Sequence, residues 1–415
     1  MNDRPTPVRG ILYLTHRIPY PPDRGDKIRS FHLMEALGRL GPLHIGTFGD
    51  DARDMGFEPA LAERAVTHKL VLRRQGKLRA GLDAYIGKRP LSVSLFADAA
   101  LHDYVRQTLA TQDISHIVVF SGQMAQYVPR DAGVGQARRF LMDFVDVDSE
   151  KFAGYGADAG MNPVMRRVYA REGKLLARYE HAIAARADTS LFVSEAEAAL
   201  FRTRAGLDGP RVKALENGID LVLYDPAKSY AAPDHPRLNP AKPLIIFTGQ
   251  MDYRPNIEAV RIFAENVMPL IRFSSPDAQF AIVGRQPTPE VERLANLPGV
   301  IVTGAVDDVK GWLQAANVVV APLRLARGIQ NKVLEAMAMA KAVVASPAAA
   351  EGIDAVPNRD LIVADGVEAE AAAVLALIDA PMRARLIGDA ARKRMVERYS
   401  WDATLASLPQ LMGAA

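Results

Sequence analysis

The chain has 415 residues, of which 49% are hydrophobic and 24% are charged, and its formal net charge is +3. This length exceeds what one ordinary hydrophobic core organises and predicts two domains. The small positive charge is far from the basic excess of nucleic-acid-binding domains, so we expect no nucleic-acid partner. The absence of cysteine excludes disulfides, thiolate metal sites and a cysteine nucleophile.

The hydropathy pattern predicts no membrane-spanning helix, because no stretch reaches about 18 uninterrupted apolar residues. The amino-terminal stretch MNDRPTPVRGILYLTHRIPYPP contains only a short apolar run, which His16 and Arg17 interrupt. This pattern is not that of a signal peptide. We therefore expect a cytoplasmic protein.

Short apolar runs alternate with helical patterns in the first half of the chain. GILYLT (10–15) and LHIGTF (43–48) predict two strands that flank a helix over residues 26–41. This spacing is typical of a βαβ unit in a parallel sheet. Further strands are predicted at 116–122 and 139–147, and a long helix is predicted to end near Asp188.

The pattern is interrupted by a proline-rich segment, residues 224–243, which has neither a helical nor an alternating period. We interpret it as the connection between two domains. After it the alternation restarts, which predicts an α/β fold of two Rossmann-like, doubly wound halves. The predicted strands of the second half lie at 244–249, 278–284, 300–304, 317–323 and 361–366.

Ligands of open α/β sheets bind beyond the carboxyl ends of the strands, so the loop after each strand is a candidate site. HRIPYPPDRGDKIRS follows the first strand, and Gly25 leads there into a helix amino terminus that can hold an anion. A structural turn with Asp26 as the helix cap explains this loop equally well. After LIIFTG, Gly249 permits close backbone approach, while Arg254 is a candidate phosphate partner and Asn256 a candidate helix cap. An ordinary solvated loop is the alternative.

The stretch RLARGIQNKVLEAMAMAKAVVAS (324–346) carries more information, because a basic loop runs directly into a helix that contains one acid. The free N–H groups of the helix favour a pyrophosphate, and Arg327 and Lys332 add positive charge. Glu335 lies one turn into the helix, where its carboxylate can accept two hydrogen bonds from a ribose diol. Pairing of Glu335 with Lys332 or Asn331 on a solvated face is the alternative. The candidate nucleotide-binding residues here are Arg327, Gly328, Ile329, Gln330, Asn331 and Glu335.

Taken together, several motifs resemble the GT-B-fold glycosyltransferases of the family-4 type. The resemblance is closest to the exosortase/PEP-CTERM-associated sugar transferases of bacterial exopolysaccharide gene clusters. The motifs follow one another in the expected order through almost the whole chain. They are PYPPDRGDKIRSFHLMEAL, DFVDVDSEKFAGYG, LFVSEAEAALFR, ENGIDLVLYDP, FTGQMDYRPNIEAVRIF, FAIVGRQP, VTGAVDDVKGWLQAANVVVAPLRLARGIQNKVLEAMAMAKAVVAS and RYSWDA.

The resemblance implies two Rossmann-like domains that face a central cleft. An acceptor-binding domain is expected over residues 1–225, a nucleotide-sugar-binding domain over 226–395, and a helix over 396–415 that crosses back to the first domain. The implied reaction transfers a sugar from a nucleotide-sugar donor to a saccharide, such as an undecaprenyl-linked one, in exopolysaccharide biosynthesis. Retention of configuration is implied, with the nucleotide sugar as substrate and neither a cofactor nor a metal.

The resemblance also assigns residues. Glu335 matches the ribose-binding glutamate of the family's paired-glutamate motif, and Gly25 matches the glycine of the amino-terminal loop near the donor phosphates. Gly249 and Arg254 match the phosphate-side loop of the second domain. Arg327 stands where the first glutamate of the pair is expected. The family usually has a pair of basic residues after Gly249, which is reduced here to Arg254, and Lys332 is the candidate that replaces the missing charge.

Many relatives carry a sugar-contacting or catalytic histidine after the fourth amino-terminal strand, where this chain reads DFVDVDSEK. Asp146 and Asp148 are therefore candidates, with an ordinary strand-end turn as the alternative, and His16 is a further candidate. The candidate catalytic residues are Asp146, Asp148, Arg254 and Lys332.

Two basic stretches, residues 68–81 and 165–180, are candidates for binding an anionic membrane. In the first, Arg73, Arg74, Lys77 and Arg79 lie close together, and each basic residue contributes about 1 kcal/mol near such a surface. We interpret this stretch as an interfacial helix, with a solvated amphipathic helix as the alternative. Peripheral association with the inner face of the cytoplasmic membrane is the expectation.

Two other functions fit the same motifs. A nucleotide-sugar epimerase of the non-hydrolysing type has this fold. The two basic stretches of the expected acceptor-binding domain argue against that function, because an epimerase has no acceptor. A degenerate transferase that acts as a scaffold would explain the missing first glutamate. The intact NKVLEAMAM helix argues against a scaffold, because a scaffold needs no ribose-binding residue.

Overall fold

The computed structural model describes residues 8–73, 89–157, 162–207, 209–326 and 329–414. The chain divides into two compact units. The first unit comprises Met1–Asn217 together with Thr404–Ala415, and the second comprises Gly218–Ala403. None of the helices that the structure describes combines the length and apolar character needed to cross a bilayer.

These divisions differ from the predicted domain bounds after residues 225 and 395. Residues 218–225 belong to the second unit because Arg392 binds them, its guanidinium donating to the carbonyls of Leu221 (3.1 Å) and Tyr224 (2.7 Å). The last residues belong to the first unit, where the Thr189 hydroxyl donates to the Leu411 carbonyl at 2.9 Å.

Each unit is built on one parallel sheet. The first sheet has seven strands in the order β3-β2-β1-β4-β5-β6-β7, and the second has six in the order β10-β9-β8-β11-β12-β13. The strands of the first sheet are β1 Ile11–Thr15, β2 Leu43–Gly49, β3 Thr67–Leu72, β4 His116–Phe120, β5 Arg139–Val145, β6 Thr189–Phe192 and β7 Val212–Ala214. Those of the second are β8 Leu244–Thr248, β9 Gln279–Val283, β10 Val300–Gly304, β11 Val318–Ala321, β12 Val343–Ala345 and β13 Ile362–Val363.

Helices connect the strands and cover the sheets. In the first unit they are α1 Gly25–Leu40, α2 Ala52–Met55, α3 Glu58–Ala62, α4 Leu91–Ser94, α5 Ala99–Thr111, α6 Asp148–Ala157, α7 Pro163–Arg186 and α8 Glu195–Ala205. In the second they are α9 Arg254–Ile262, α10 Met268–Ser274, α11 Pro289–Arg293, α12 Val309–Ala315, α13 Asn331–Ala338, α14 Pro347–Ala350, α15 Val367–Ile378 and α16 Pro381–Arg394. The chain ends with α17 Trp401–Thr404 and α18 Leu408–Met412.

The predicted fold class, an α/β protein of two Rossmann-like doubly wound domains, is confirmed. All five residues of β1 and all five of β8 are buried, as expected for parallel strands that are covered on both faces. In each sheet the strand order reverses beside these two strands, between β1 and β4 and between β8 and β11. Such switch points leave a crevice at the carboxyl ends of the strands.

The interpretation of residues 68–81 as an interfacial helix is wrong for its first part. Residues 67–72 form strand β3, which pairs in parallel with β2 from His44–Thr67 to Gly49–Leu72. Pairing with an existing sheet edge outweighs the helical preference of a short lysine- and leucine-containing stretch. Arg74, Lys77 and Arg79 lie outside the described residues.

Candidate functional site

The switch point of the second sheet is built around two glycines. Gly249 follows β8, and its N–H donates to the Val283 carbonyl at 3.0 Å. A Cβ on Gly284 would lie 1.6 Å from the carbonyl oxygen of Gly249, so no other residue fits at position 284 without moving the backbone. This contact fixes the loop that follows β8 against the loop that follows β9.

Gly249 also lies against the side chains of two later elements. A Cβ on Gly249 would be 2.8 Å from Asn256 Nδ2 and 3.4 Å from Lys332 Nζ. Asn256 donates through Nδ2 to the Gln250 carbonyl at 2.9 Å, which turns its Oδ1 towards Lys332. The prediction that Asn256 caps α9 is wrong, since Tyr253 holds the N-cap position and Asn256 is a buried residue inside the first turn.

Lys332 is held in this cluster by two contacts. Its ammonium donates to Asn256 Oδ1 and lies 4.4 Å from the ring centroid of Phe247, a cation–π distance. Burial lowers the pKa of Lys332 to about 8, although the nearby negative charge of Glu335 opposes the shift. The ammonium is therefore poorly compensated, which suits a group that receives an anion.

Glu335 lies on α13 among buried apolar neighbours, as the sequence predicts. Burial raises the pKa of its carboxyl to about 7, against a hydrogen bond from the Tyr224 hydroxyl and the positive charges of Lys332 and Lys310. Tyr224 comes from the segment that the sequence presents as a linker. Nothing in the sequence pattern indicates this contact. The apolar neighbours on α13 are Val333, Leu334, Ala336, Met337, Ala338 and Met339, all buried.

The other predicted residues of this region have different environments. Gln330 is the N-cap of α13 without a side-chain capping bond, Asn331 is exposed, and Ile329 packs against the core of the second unit. Arg254 is the exposed first residue of α9, and the contacts among Gly249, Asn256 and Lys332 do not include it. Arg327 and Gly328 lie outside the described residues, so their predicted roles stay predictions. We call Gly249, Asn256, Lys332, Glu335 and Tyr224 the second polar edge.

The switch point of the first sheet carries a network of ion pairs. Arg17 binds Asp26 (2.7 Å) and Asp50 (2.6 Å). Arg24 reaches the same two carboxylates at 3.1 and 3.3 Å. His16 Nε2 lies 3.4 Å from Asp26, beside the start of α1. We call His16, Arg17, Arg24, Asp26 and Asp50 the first polar edge.

Basic side chains of the first polar edge lower the pKa values of its two carboxyls. Burial alone would raise the pKa of Asp26, but hydrogen bonds from His16 and Arg17 outweigh burial and hold that pKa well below its ordinary value. The pKa of Asp50 is lowered for the same reason, burial being outweighed chiefly by Arg17. These carboxylates are thus ionised and compensated.

The loop before α1 is not a simple capped turn. Arg24 holds the N-cap position without a side-chain bond, so the interpretation of Asp26 as the helix cap is wrong. A Cβ on Gly25 would meet nothing within 4 Å, which means that packing does not require glycine there. A glycine facing open space at a helix amino terminus is compatible with close approach of a ligand.

Asp146 and Asp148 differ in environment. Asp146 is exposed after β5, whereas Asp148 begins α6 and its Oδ2 lies 3.4 Å from Gln123 Nε2. Burial raises the pKa of Asp148, with the charge of Lys151 opposing the shift. The backbone beside them has a positive φ of 72° at Val145, a conformation that β-branched residues rarely adopt and that clusters at functional sites.

The sequence did not indicate one residue of the first unit, Arg29, and predicted a different role for another, Arg73. The buried Arg29 guanidinium binds both carboxylate oxygens of Asp143, at 2.9 and 3.2 Å, although a basic residue inside an amphipathic helix gives no signal of burial. Arg73, predicted to face a membrane, pairs with Asp50 at 2.9 Å and lies over the Phe96 ring at 5.1 Å. Its charge therefore belongs to the surroundings of the first polar edge.

Residues 242–380 match the model of the family described as glycosyl transferases, group 1. This segment contains the second polar edge apart from Tyr224. A relative among characterised proteins is the alpha-maltose-1-phosphate synthase of Mycolicibacterium smegmatis, 31% identical over 232 residues, which are 49% of this chain and 56% of that protein. The chain thus spans about half the length of the curated relatives that it matches.

Solved structures with similar folds cover almost the whole chain. The sucrose-phosphate synthase of Thermosynechococcus elongatus has a TM-score of 0.58 at 17% identity, with 97% of this chain and 98% of that chain covered. Anabaena Alr3699/HepE, solved in complex with UDP and glucose, has a TM-score of 0.57 at 15% identity, with 98% and 99% covered. At these identities the similarity establishes the GT-B fold.

Proposed function

We propose that this chain, whose residues 242–380 match the model of the group 1 glycosyl transferases, moves a sugar from a nucleotide-sugar donor to a saccharide acceptor. The observation that carries the proposal is the second polar edge. Lys332 is held beside Gly249 by Asn256, and Glu335 lies one turn further along the same helix. A cation and a carboxylate at this spacing fit the diphosphate and the ribose of one nucleotide.

Lys332 and the backbone N–H groups at the start of α13 are assigned to the diphosphate. The lysine needs little reorganisation, because Asn256 and Phe247 already fix its ammonium. As the bond from the anomeric carbon to the leaving oxygen breaks, negative charge grows on the diphosphate. A preorganised cation stabilises this charge more in the transition state than in the bound donor. Arg254, Arg327 and the backbone at Gly328 are further candidates for the same role.

Glu335 is assigned to the ribose hydroxyls. Its ionised carboxylate accepts hydrogen bonds and its protonated form accepts fewer, so a diol favours the ionised form. The pKa of about 7 in the free protein, raised by burial, then falls on binding. Nucleotide affinity should accordingly increase as the pH rises from about 6 to 7.

The acceptor is assigned to the first unit, with Asp148 as the candidate that takes the proton of the attacking hydroxyl. Its raised pKa, caused by burial, brings it towards the range in which a general base works. Asp146 is the alternative residue and is more exposed. Gly25 remains a candidate for close approach of the donor phosphates.

The finer biological role rests on the motif resemblance. We infer a bacterial exopolysaccharide pathway, a lipid-linked acceptor at the cytoplasmic face of the membrane, retention of configuration and a reaction that needs no metal. The structure of Anabaena Alr3699/HepE in complex with UDP and glucose makes uridine nucleotides the first donors to examine.

The test is a calorimetric and thermal-shift panel of UDP, GDP, ADP, CMP and TDP on the whole chain. A ligand that binds the folded state raises the melting temperature. We expect one nucleoside diphosphate to bind, and Glu335→Ala to weaken it about ten- to a hundredfold, the effect of losing hydrogen bonds to a charged group. Glu368→Ala removes an exposed glutamate from the same unit and is the matched control.

The outcomes separate the alternatives. Binding that Glu335→Ala weakens and Glu368→Ala leaves unchanged supports the donor site. Equal affinity in wild type and Glu335→Ala would refute the ribose assignment. No binding of any of the five nucleotides at millimolar concentration would favour the scaffold function.

A further inference from the structure

The loop that follows β5, residues 145–149, begins with a strained backbone. Val145 has a φ of 72°, and Ser121, directly after the neighbouring strand β4, has a φ of 75°. A positive φ in a residue other than glycine costs free energy and persists only where surrounding contacts impose it. Because β4 and β5 pair in the first sheet, both strained residues lie at the same edge of that sheet.

Three carboxylates, one each from β5, α7 and α8, accept the backbone N–H groups of alternate residues in this loop. The pairs are Val145 to Asp143 (3.1 Å), Val147 to Glu197 (2.8 Å) and Ser149 to Glu180 (3.0 Å). Hydrogen bonds from N–H groups to carboxylates are roughly twice as strong as those between neutral groups. The loop is therefore fixed to three separate elements of the first unit.

Glu180 of α7 makes a second bond to the same loop residue. The Ser149 hydroxyl also donates to it, at 2.5 Å, and Glu180 is only 3% exposed. Burial raises the pKa of Glu180 to about 7, against the two hydrogen bonds from Ser149, and the charges of Asp148 and Glu197 add to the rise. Carboxyls perturbed in this way concentrate at functional sites.

The bonds to Glu180 act on the neighbour of Ser149, the candidate residue Asp148. They fix the backbone on which the Asp148 carboxylate stands. Gln123 contacts that carboxylate directly, its Nε2 lying 3.4 Å from Asp148 Oδ2. The Ser121 hydroxyl donates to Gln123 Oε1, so the amide nitrogen of Gln123 is the group that faces Asp148. Contacts from both strand ends thus determine the position of one carboxylate.

Glu172, on the same helix, provides a comparison. It accepts from the N–H (2.9 Å) and the hydroxyl (2.8 Å) of Ser92 and from the Leu91 N–H (2.8 Å), and it is 4% exposed. Both glutamates are therefore buried and bind a serine through its N–H and its hydroxyl. They differ in what they hold, since Glu172 binds the start of α4 and Glu180 binds the residue next to Asp148.

We propose that Glu180 is a positioning residue, which through Ser149 holds Asp148 where its carboxylate takes the proton of the attacking hydroxyl. This inference rests on the proposed function, which assigns Asp148 to that step. The acceptor oxygen bonds to the anomeric carbon, the bond from that carbon to the diphosphate oxygen breaks, and the hydroxyl proton passes to Asp148. Glu180 itself forms and breaks no bond. Misplacing a reacting group by about 1 Å can slow a reaction roughly 100-fold, which gives such a residue its value.

The first test follows the Asp148 carboxyl itself and needs neither donor nor acceptor. NMR of the whole chain with labelled aspartate carboxyl carbons gives its titration, and Asp148→Asn identifies the signal. Burial raises the pKa of Asp148, and the charges that face it belong to Lys151, Asp146 and His16. We expect Glu180→Ala to lower this pKa towards its ordinary value, because the loop no longer holds the carboxyl in its buried place.

Glu180→Gln is the conservative variant and should titrate like wild type at Asp148. Its amide can replace both bonds to Ser149. Moreover, the pKa of Glu180 is about 7, so Glu180 is already neutral at the lower pH where Asp148 titrates. A loss in Glu180→Ala that Glu180→Gln restores would thus report on position. If Glu180→Ala fails to fold, Ser149→Ala, which keeps the N–H, should lower the pKa of Asp148 in the same direction.

Amide hydrogen exchange at neutral pH is the second test. Losing a hydrogen bond to a charged group should accelerate exchange about tenfold or more. We expect this at residues 147–150 in Glu180→Ala and not in Glu180→Gln. Glu172→Ala is the matched control, which should accelerate exchange at residues 91–92 and leave both the titration of Asp148 and the exchange of its loop as in wild type.

Two results would overturn the proposal. One is an unchanged Asp148 titration in Glu180→Ala, or in Ser149→Ala where that variant replaces it. The other is the same change in Glu172→Ala, which would make the effect a general loss of stability. Nucleoside diphosphate affinity, measured in parallel, should equal that of wild type in every variant. Absence of nucleotide binding in wild type would count against the donor site, whereas the two tests of the loop would still be decided.

Discussion

The two polar edges occupy equivalent places in two doubly wound sheets, yet the charges of the first are paired and those of the second are poorly compensated. In the first polar edge, Arg17 and Arg24 bind two aspartates. The pKa values of those carboxyls are lowered because His16 and Arg17 at Asp26, and chiefly Arg17 at Asp50, outweigh burial. In the second, burial moves the pKa of Lys332 down to about 8 and that of Glu335 up to about 7. The carboxylates of the first polar edge therefore have cationic partners, whereas burial disfavours the charged forms of Lys332 and Glu335 in the second.

This difference in charge compensation indicates which of the two edges binds a ligand. Paired charges cost the folded protein little, whereas poorly compensated charges reduce its stability and are retained where they bind or react. The second polar edge therefore fits a diphosphate and a ribose, which supply the missing partners. The first polar edge fits a structural frame for the loop that leads into α1.

The largest expected effect concerns the buried ion pair of the first unit. Arg29→Met leaves the carboxylate of Asp143 buried without its bidentate partner, and we expect a loss of about 3–5 kcal/mol in the free energy of unfolding. Urea unfolding at neutral pH measures it. Arg29→Met/Asp143→Leu removes both charges and should recover most of the loss; equal instability of the single and double variants would contradict this account.

The glycines of the two edges should respond differently to alanine. Gly284→Ala places a Cβ 1.6 Å from the Gly249 carbonyl oxygen and should reduce the free energy of unfolding by about 3 kcal/mol or more. Gly25→Ala meets no atom within 4 Å and should change it by less than about 1 kcal/mol. Thermal unfolding compares the two variants. Similar melting temperatures would show that the loop after β8 adapts to a larger residue.

The cations of the two edges provide a sharper contrast. Arg17→Met removes the partner of two aspartates and should lower the melting temperature. Lys332→Met removes a poorly compensated cation and should leave the melting temperature unchanged or raise it. The same lysine variant should weaken nucleoside diphosphate binding about tenfold or more. A large loss of stability in Lys332→Met would place this lysine with the structural charges.

The pH dependence of stability should have opposite signs for the two carboxylates. Asp50 has a lowered pKa, so its contribution is present above its ordinary value of 3.8 and is lost as the pH falls through the lowered value. The pKa of Glu335 is raised from 4.5 to about 7, so the folded state holds a proton that the unfolded chain has lost, and stability falls as the pH rises through this window.

Matched variants isolate these contributions. Asp50→Asn should flatten the acid limb of the stability curve, and Glu335→Gln should remove the decline between pH about 4.5 and 7. Urea unfolding from pH 3 to 8 follows both effects. Parallel curves for wild type and Glu335→Gln would mean that Glu335 remains ionised in the free protein.

The sequence was sufficient for the elements whose pattern is local. The apolar runs of β1 and β8 predict buried strands because parallel strands covered on both faces have no polar side. The position of Glu335 among apolar neighbours on α13 also predicts a carboxylate with a special environment. Residues 68–72 show the limit of this reasoning, since a short stretch with helical character becomes strand β3 when a sheet edge pairs with it.

The sequence by itself therefore determined the two-domain α/β fold, the loops at the strand ends and the helix that carries Lys332 and Glu335. Only the tertiary structure decided the partners of these residues. Asn256 holds Lys332 from 76 positions away, and Tyr224 donates to Glu335 from a segment without any pattern. Periodicity depends on neighbours along the chain, whereas burial, hydrogen bonding and pKa depend on neighbours in space, which a single sequence does not specify.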